Sequence, residues 1–388
     1  MISQNLAVAK RRKALINVYQ KHSEVFYTGL VNHLSTDGVV IRTFNEYGMA
    51  DGMVFVKQSE IRRLEFMSQD LKNMRIRIQI AHLNGLLEYT TEKPMKLVGD
   101  HEIVKQILGR SYVEKQVVML ELVSEVHYLE GLVTKVGQQG FVFDVIDKFN
   151  FSNHQQMEIP YSNVRVIEFQ GKELSLLSQT QSILHGPSIN PLIQSLPLAI
   201  KKGLFQAKQS HRMVEVEAIQ DQNYFYVGWV VAINGRNVIF KVIDMAGQFG
   251  GYVLMRLNSI RYLTEHSDYL KLIQRCVQIN RREKNLVQPV LNADRAFDPT
   301  EDLVEMVLRQ ALVMHRLVRI RLLGTRNSEM GQPSQVRTNS LVFRPVSNGQ
   351  NQLSSGQVIG FSSLQEIAFD YLGTYLAQKQ LEIQHWRR

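Results

Sequence analysis

Residues 224–263 read YFYVGWVVAINGRNVIFKVIDMAGQFGGYVLMRLNSIRYL, and the spacing of their glycines, turn residues and apolar runs decides the fold. Residues 227–233 form a strand with Gly228 near its start. Asn234-Gly235 is a favoured two-residue hairpin turn, because both residues tolerate positive φ. The returning strand, 238–243, alternates Val238, Phe240 and Val242 onto one face. A glycine-rich connection over 246–251 leads to a strand at 252–257. Asn258-Ser259 then turns the chain directly into a last strand, 260–263. Strands this short, each folding back on the one before, imply a small barrel.

The same plan recurs three times. In residues 25–66, Gly29-Leu30-Val31 matches Gly228-Trp229-Val230, and Asp37-Gly38 replaces Asn234-Gly235. Gln58-Ser59-Glu60-Ile61-Arg62 aligns there with Leu257-Asn258-Ser259-Ile260-Arg261. Residues 126–169 keep the order with Gly131-Leu132-Val133, Phe141-Val142-Phe143 and Tyr161-Ser162-Asn163-Val164-Arg165. A fourth copy shows mainly at its end, Ser362-Ser363-Leu364-Gln365-Glu366-Ile367. The equivalent Ile61, Val164, Ile260 and Leu364 stand roughly 103, 96 and 104 residues apart, a near-constant period that unrelated β segments would not produce.

The expected fold is therefore mainly β with helices: four tandem small five-stranded antiparallel barrels, each preceded by a helix. The repeats cover residues 1–99, 100–190, 191–298 and 299–388. The leading helices fall at 2–13, 101–115, 196–209 and 301–314, with Asp100 and Thr300 as N-cap candidates. Further helices are expected over 172–184, 268–279 and 371–386. Residues 74–80, MRIRIQI, alternate as a strand with Arg75 and Arg77 on one face. Gly186-Pro187 and Pro191 break the chain between the second and third copies. The fourth copy, with polar loops, is the most divergent.

The 388 residues are 44% hydrophobic and 21% charged, ordinary globular values. No run of ~18 apolar residues occurs, so no membrane-spanning helix is expected. Residues 1–13 place their charges after a short apolar patch, the reverse of a secretory leader. A single cysteine, Cys276, excludes an internal disulfide framework and suits a reducing compartment. A cytoplasmic protein is expected. The net charge of +9 favours a polyanionic partner, although only Lys10-Arg11-Arg12-Lys13 forms a compact basic block.

A helix followed by five antiparallel strands, the second bent at glycine and the last two joined by a very short turn, resembles the Sm-like fold of the Sm, LSm and Hfq proteins. The likeness is most direct in residues 253–263, VLMRLNSIRYL, which look like the family's second motif: a strand ending in Arg-Gly, a polar pair, then Ile-Arg-Tyr-Ile. Residues 117–145 carry part of the first motif. Leu257 stands where the family has glycine after Arg256, and the other copies have Gln58, Tyr161 and Ser362 there. The family's base-holding Asp-x-x-(Met)-Asn hairpin is not evident in any copy. The resemblance thus implies the fold more strongly than the uridine pocket, and small SH3-type barrels share much of the pattern. It also implies that neighbouring units join edge to edge through their fourth and fifth strands, which protects open edges. Two chains would then close an eight-membered ring, with a closed monomer or beads on a string as the alternatives.

Catalytic motifs are absent. The sequence holds no G-x-x-x-x-G-K-[ST] phosphate loop and no G-x-S-x-G elbow. His101-Glu102 lacks a second histidine at metalloprotease spacing, and His22, His33, His127, His154 and His315 do not repeat between copies. A non-enzyme without metal or cofactor is expected. The resemblance implies that bases are held at the turns between strands two and three and between strands four and five. Arg62, Arg165 and Arg261 recur just after the last turn. A cation repeated in three copies suits a phosphate-tracking surface through counterion release, whereas arginine on a strand edge also snorkels or pairs with glutamate. The expected nucleic-acid-binding residues are Lys57, Gln58, Arg62, Asn163, Arg165, Arg256, Asn258 and Arg261. The expected function is non-catalytic binding of single-stranded RNA, or other single-stranded nucleic acid, on a ring or arc of barrels. The alternative is a protein-interaction scaffold that assembles through barrel edge strands without specific nucleic-acid binding. RNA and further copies of the chain are the expected partners, with no membrane.

Overall fold

A computed structural model describes residues 2–23, 26–88, 94–125, 127–219, 224–347 and 352–385. Val25, Val126 and Trp386, at the ends of segments named above, lie outside these residues. Two compact units form, Met1–Ser188 and Ile189–Arg388.

In the first unit, α1 (Ile2–Arg12) leads to β1 (Leu15–Gln20), β2 (Phe26–Leu34), β3 (Gly38–Phe44), β4 (Ala50–Lys57) and β5 (Ile61–Glu65). Then α2 (Gln69–Leu83) and α3 (Ile103–Glu114) precede β6 (Val117–Leu122), β7 (Leu129–Val136), β8 (Gly140–Val145), β9 (Gln155–Pro160) and β10 (Val164–Phe169). The unit closes with α4 (Lys172–Gln179) and α5 (Gln181–Leu184). Its strands are hydrogen-bonded in the order β5-β1-β2-β3-β4-β10-β6-β7-β8-β9.

The second unit repeats this plan. It begins with β11 (Ile193–Gln194) and α6 (Pro197–Gln209), then β12 (Met213–Ala218), β13 (Phe225–Ile233), β14 (Asn237–Ile243), β15 (Phe249–Arg256) and β16 (Ile260–Thr264). After α7 (Asp268–Arg282) and α8 (Leu303–Val313) come β17 (Val318–Leu322), β18 (Ser328–Val336), β19 (Ser340–Pro345), β20 (Gln357–Gly360), β21 (Leu364–Phe369) and α9 (Leu372–His385). The order is β11-β16-β12-β13-β14-β15-β21-β17-β18-β19-β20.

The expected four small five-stranded barrels do not form. Each set of five stays open, and pairs of sets merge into antiparallel sheets of 10 strands in the first unit and 11 in the second. The seams are β4 on β10, with Val54 opposite Glu168 and Val56 opposite Val166, and β15 on β21, with Tyr252 opposite Phe369. The physical reason is the apolar content of the seam strands. Val54, Phe55 and Val56 are consecutive and all buried, so both faces of β4 need cover. Phe55 packs with Phe143 and Ile167 of the second set, while Val166 of the second set sits in the first set's core. In the second unit, Ile239, Tyr252 and Leu254 share a core with Leu308, Ile320 and Phe343. Burying a side chain such as Phe55 is worth about 1.5–3 kcal/mol, which an isolated set would forfeit in part.

Gly29, Gly131, Gly228 and Gly331 occupy one place in the second strand of each set. A Cβ there would lie 2.2, 2.1, 2.1 and 2.4 Å from a carbonyl oxygen of the adjoining third strand. Gly331 thus supplies the part of the fourth copy that its sequence left unmarked. The last two strands of every set are joined by one 3₁₀ turn: Gln58–Glu60, Tyr161–Asn163, Leu257–Ser259 and Phe361–Ser363. Phe361, not Ser362, is therefore the equivalent of Leu257.

Several local expectations are corrected. The Asn234 turn closes through its side chain, whose Oδ1 accepts from the backbone N–H of Arg236 and Asn237 at 2.9 and 2.8 Å. Neither Asn234 nor Gly235 takes a positive φ, so the turn is Asx-stabilised instead of a two-residue mirror turn. Residues 74–80 are helical, within α2. Ser68 Oγ caps that helix by accepting from Leu71 N at 3.1 Å, and Leu71 and Met74 bury against Leu15. Met74 and Ile78 fit a helical face as well as an alternating one, and the cap decides between them. Asp302, not Thr300, caps α8 by accepting from the N–H of Val304 and Glu305. The helix after Asp100 begins later, with Glu102 before it and no side-chain cap. The helix expected over 172–184 breaks at Thr180. No described helix is long and apolar enough to cross a membrane.

Candidate nucleic-acid interface

Lys57 ends β4, and its Nζ donates to the carbonyl of Ser162 at 2.9 Å, in the 3₁₀ turn of the second set. Arg256 ends β15 in the same way: its Nε donates to Leu364 O and its Nη2 to Phe361 O. In both units a cation at the end of the fourth strand therefore satisfies turn carbonyls of the adjoining set. These two predicted site residues latch the seams.

Other predicted residues are engaged by neighbours of opposite charge. Arg165 lies between Glu60 and Glu121, with Nε 3.7 Å from Glu60 Oε2 and Nη1 3.9 Å from Glu121 Oε1. Burial raises the Glu121 carboxyl above its ordinary range, while Arg165 pulls it back down. Arg261 donates to Glu217 Oε1 at 3.1 Å and lies over its neighbour Tyr262, 4.8 Å from the ring centroid. Gln58 donates to Ser3 Oγ at 2.8 Å and Asn163 to Ser124 Oγ at 2.9 Å. Arg62 and Asn258 are exposed. The structure thus gathers Lys57 and Asn163 at one turn of the first unit and sets Arg165 among carboxylates beside it.

That turn borders a groove of about 480 Å³. The groove lies between the β7–β8 turn and the turn after β9, with Lys135, Gln139 and Ser162 at its rim, Phe141 and Ile159 in its lining and, among the described residues, Glu158 as the one acid lining it. Tyr161 braces the two turns: its hydroxyl donates to Gly137 O at 3.1 Å, and its ring stacks on Phe141 at 5.7 Å. Burial, helped by Glu102, raises the Tyr161 hydroxyl above its ordinary range, which keeps it a donor. Lys135 and Gln139 escaped the sequence reading because the turn at 137–140, Gly-Gln-Gln-Gly, carries no Asn-Gly or Asp-Gly signature. Glu158, Ile159 and Pro160 of its lining belong to β9, the last strand of the sheet.

Two further polar pairs tie the seams. Tyr27 on β2 donates to Glu168 Oε1 on β10 at 2.6 Å, and its counterpart Tyr226 on β13 donates to Glu366 Oε1 on β21 at 2.7 Å. Burial pushes the Glu168 carboxyl up to about 7 against the Tyr27 hydrogen bond. Lys148 sits between Glu130 and Glu173, each 2.9 Å away. Burial lowers its ammonium, but the two carboxylates outweigh that and raise it overall. Among the described residues, Asp144, His154 and His185 form a grouping with metal-ligand chemistry. No family model and no curated protein matches the chain.

Proposed function

We propose that the chain is a non-catalytic protein that binds single-stranded RNA in the groove between residues 137–139 and 161–163. The observation that carries this reading is the groove's position. It lies between a strand two–three turn and a strand four–five turn, the two turns at which the Sm-like resemblance expects bases. Its lining offers the apolar surface of Val142 and Pro160 for a base, Gln139 for a base edge, and Lys135 for the backbone. Glu158 disfavours a phosphate on the β9 side, so the backbone runs along the Lys135 rim. The pairing of the fourth strands of the first and third sets with the last strands of the second and fourth supports kinship with Sm-like proteins.

The test is anisotropy of labelled oligouridine and of matched DNA at 50 and 150 mM salt. Binding at roughly micromolar Kd should survive the higher salt, and Lys135→Glu combined with Gln139→Ala should weaken it about ten-fold or more. Affinity that ignores these substitutions, or vanishes with salt for every oligonucleotide alike, would sink the site. A second reading rests on the outer edges of β5, β9 and β20, which have no pairing strand among the described residues and onto which a further copy could add strands as β4 and β10 do. Concentration-dependent self-association in light scattering, without nucleic-acid affinity beyond generic charge, would favour that scaffold.

A further inference from the structure

We propose that Asp144, His154 and His185 form a divalent zinc site in the first unit. The three residues come from separate elements: Asp144 from β8, His154 from the residue before β9, and His185 from just past α5. Their ligand atoms lie within 4.8 Å of one another. The imidazole rings of His154 and His185 stack at 5.1 Å with an interplanar angle of 13°.

Asp144 points most directly to a cation. It is 8% exposed, and its Oδ1 is buried with no hydrogen-bond partner among the described residues. A carboxylate oxygen withdrawn from water without a donor is costly, and such oxygens are ordinarily satisfied by a proton donor or a metal ion. Its other oxygen, Oδ2, faces His185 Nε2 at 3.3 Å. The second nitrogen of that ring, Nδ1, lies 2.9 Å from the backbone carbonyl of Gln181. A carbonyl only accepts, which assigns the proton to Nδ1 in the neutral ring. Nε2 then presents a lone pair to a carboxylate. Two acceptors facing each other require a positive species between them. A carbonyl holding the far nitrogen of a histidine is also the arrangement that orients an imidazole for a metal.

The segments carrying the histidines are pinned together. Asp147 Oδ1 accepts from the N–H of Phe149 and Asn150, and Asn153 donates to Asp147 Oδ2. Ser152 and Ser188 exchange N–H to hydroxyl bonds at 2.8 and 3.2 Å, and Ser188 Oγ donates to Asn150 Oδ1 at 2.6 Å. The site is thus preorganised on both sides, which lowers the entropic cost of binding. Two imidazoles and one carboxylate suit zinc, cobalt or nickel better than calcium or magnesium, which take oxygen donors. Three protein ligands leave one tetrahedral position for water. A bound ion would staple β8, the approach to β9 and the end of the first unit. This inference stands independently of the RNA reading.

The test uses the tag-free full chain, first stripped with a chelator. Cobalt is titrated for its visible d–d bands, then displaced by zinc under calorimetry. The expected result is one zinc per chain at roughly micromolar Kd or tighter, with a rise in Tm on saturation. Asp144→Asn is nearly isosteric and keeps the fold, so it should lose at least about ten-fold in affinity. His154→Ala and His185→Ala should do the same. No cobalt spectrum and no heat at about 1 mM metal would overturn the proposal, leaving a proton between His185 and Asp144. Unchanged binding in Asp144→Asn would overturn it equally, since the metal would then sit elsewhere.

Discussion

Glu215 sits on β12 between Val227 and Thr264, on the face that α7 covers with Tyr269 and Ile273. Burial, with Glu217 two residues on as a like charge, pushes its carboxyl from the ordinary 4.5 up to about 7. Between those two values the folded chain holds a proton that the unfolded chain has released. Stability from this group is therefore fully present below about pH 4.5 and is lost as pH rises through about 7. Glu168 contributes a slope of the same sign. Glu215→Gln should be more stable than the parent at pH 8, on the order of 1 kcal/mol after allowance for partial exposure, and should show a shallower pH dependence. Urea midpoints at pH 4.5, 6 and 8 measure this. A variant that loses midpoint with pH as steeply as the parent would show that Glu215 titrates normally. At this scale the sequence was poorly legible. Arg165 and Arg261 repeat as a phosphate-tracking series would, yet Glu60, Glu121 and Glu217 stand against them from strands and turns distant in the chain. Asp144, His154 and His185 have no motif spacing, because three separate elements bring them together.

At the scale of the element, glycine spacing in the second strands was readable, and its cause is now explicit. Gly228 is required by close approach, not by backbone angle: a Cβ would lie 2.1 Å from Lys241 O, and its φ is not positive. Strand pairing between β13 and β14 leaves the backbone little room to yield. Gly228→Ala should therefore cost roughly 2–4 kcal/mol by denaturation. Gly235→Ala, seven residues away in the turn with nothing within 4 Å, should stay within about 0.5 kcal/mol. Equal midpoints for the two variants would remove the close-approach argument. The short last turns were legible for the same reason as the glycines, since each is a local event repeated at one period. The seams were not. β4 and β10 are far apart in sequence, and nothing local records which edges meet. One trace existed in Met53-Val54-Phe55-Val56, an unbroken apolar run where a half-exposed strand would alternate.

At the scale of the whole chain, the seam strands make a pair of sets the smallest unit that can bury its own core. The first set alone would lose β10 from the outer side of β4, uncovering the edge that carries Val54, Phe55 and Val56, and would lose Val166 from its interior. The second set alone would lose Val40 and Phe55, together with the Tyr27 hydroxyl that satisfies Glu168. Fragments 1–188 and 189–388 should therefore each unfold in one cooperative step, with dispersed amide spectra. Fragments 1–99 and 100–188 expressed separately should lack fixed side-chain packing, and mixing them should restore it, because the missing strand can be supplied in trans at the cost of association entropy. Circular dichroism in the near ultraviolet, before and after mixing, reads this directly. A first fragment that unfolds cooperatively alone, at the same midpoint as residues 1–188, would show that β4 tolerates an open edge. The seam would then be a docking contact and not part of a shared core. The groove beside β9 and the Asp144 cluster both lie in the second set, so their integrity should follow the same complementation.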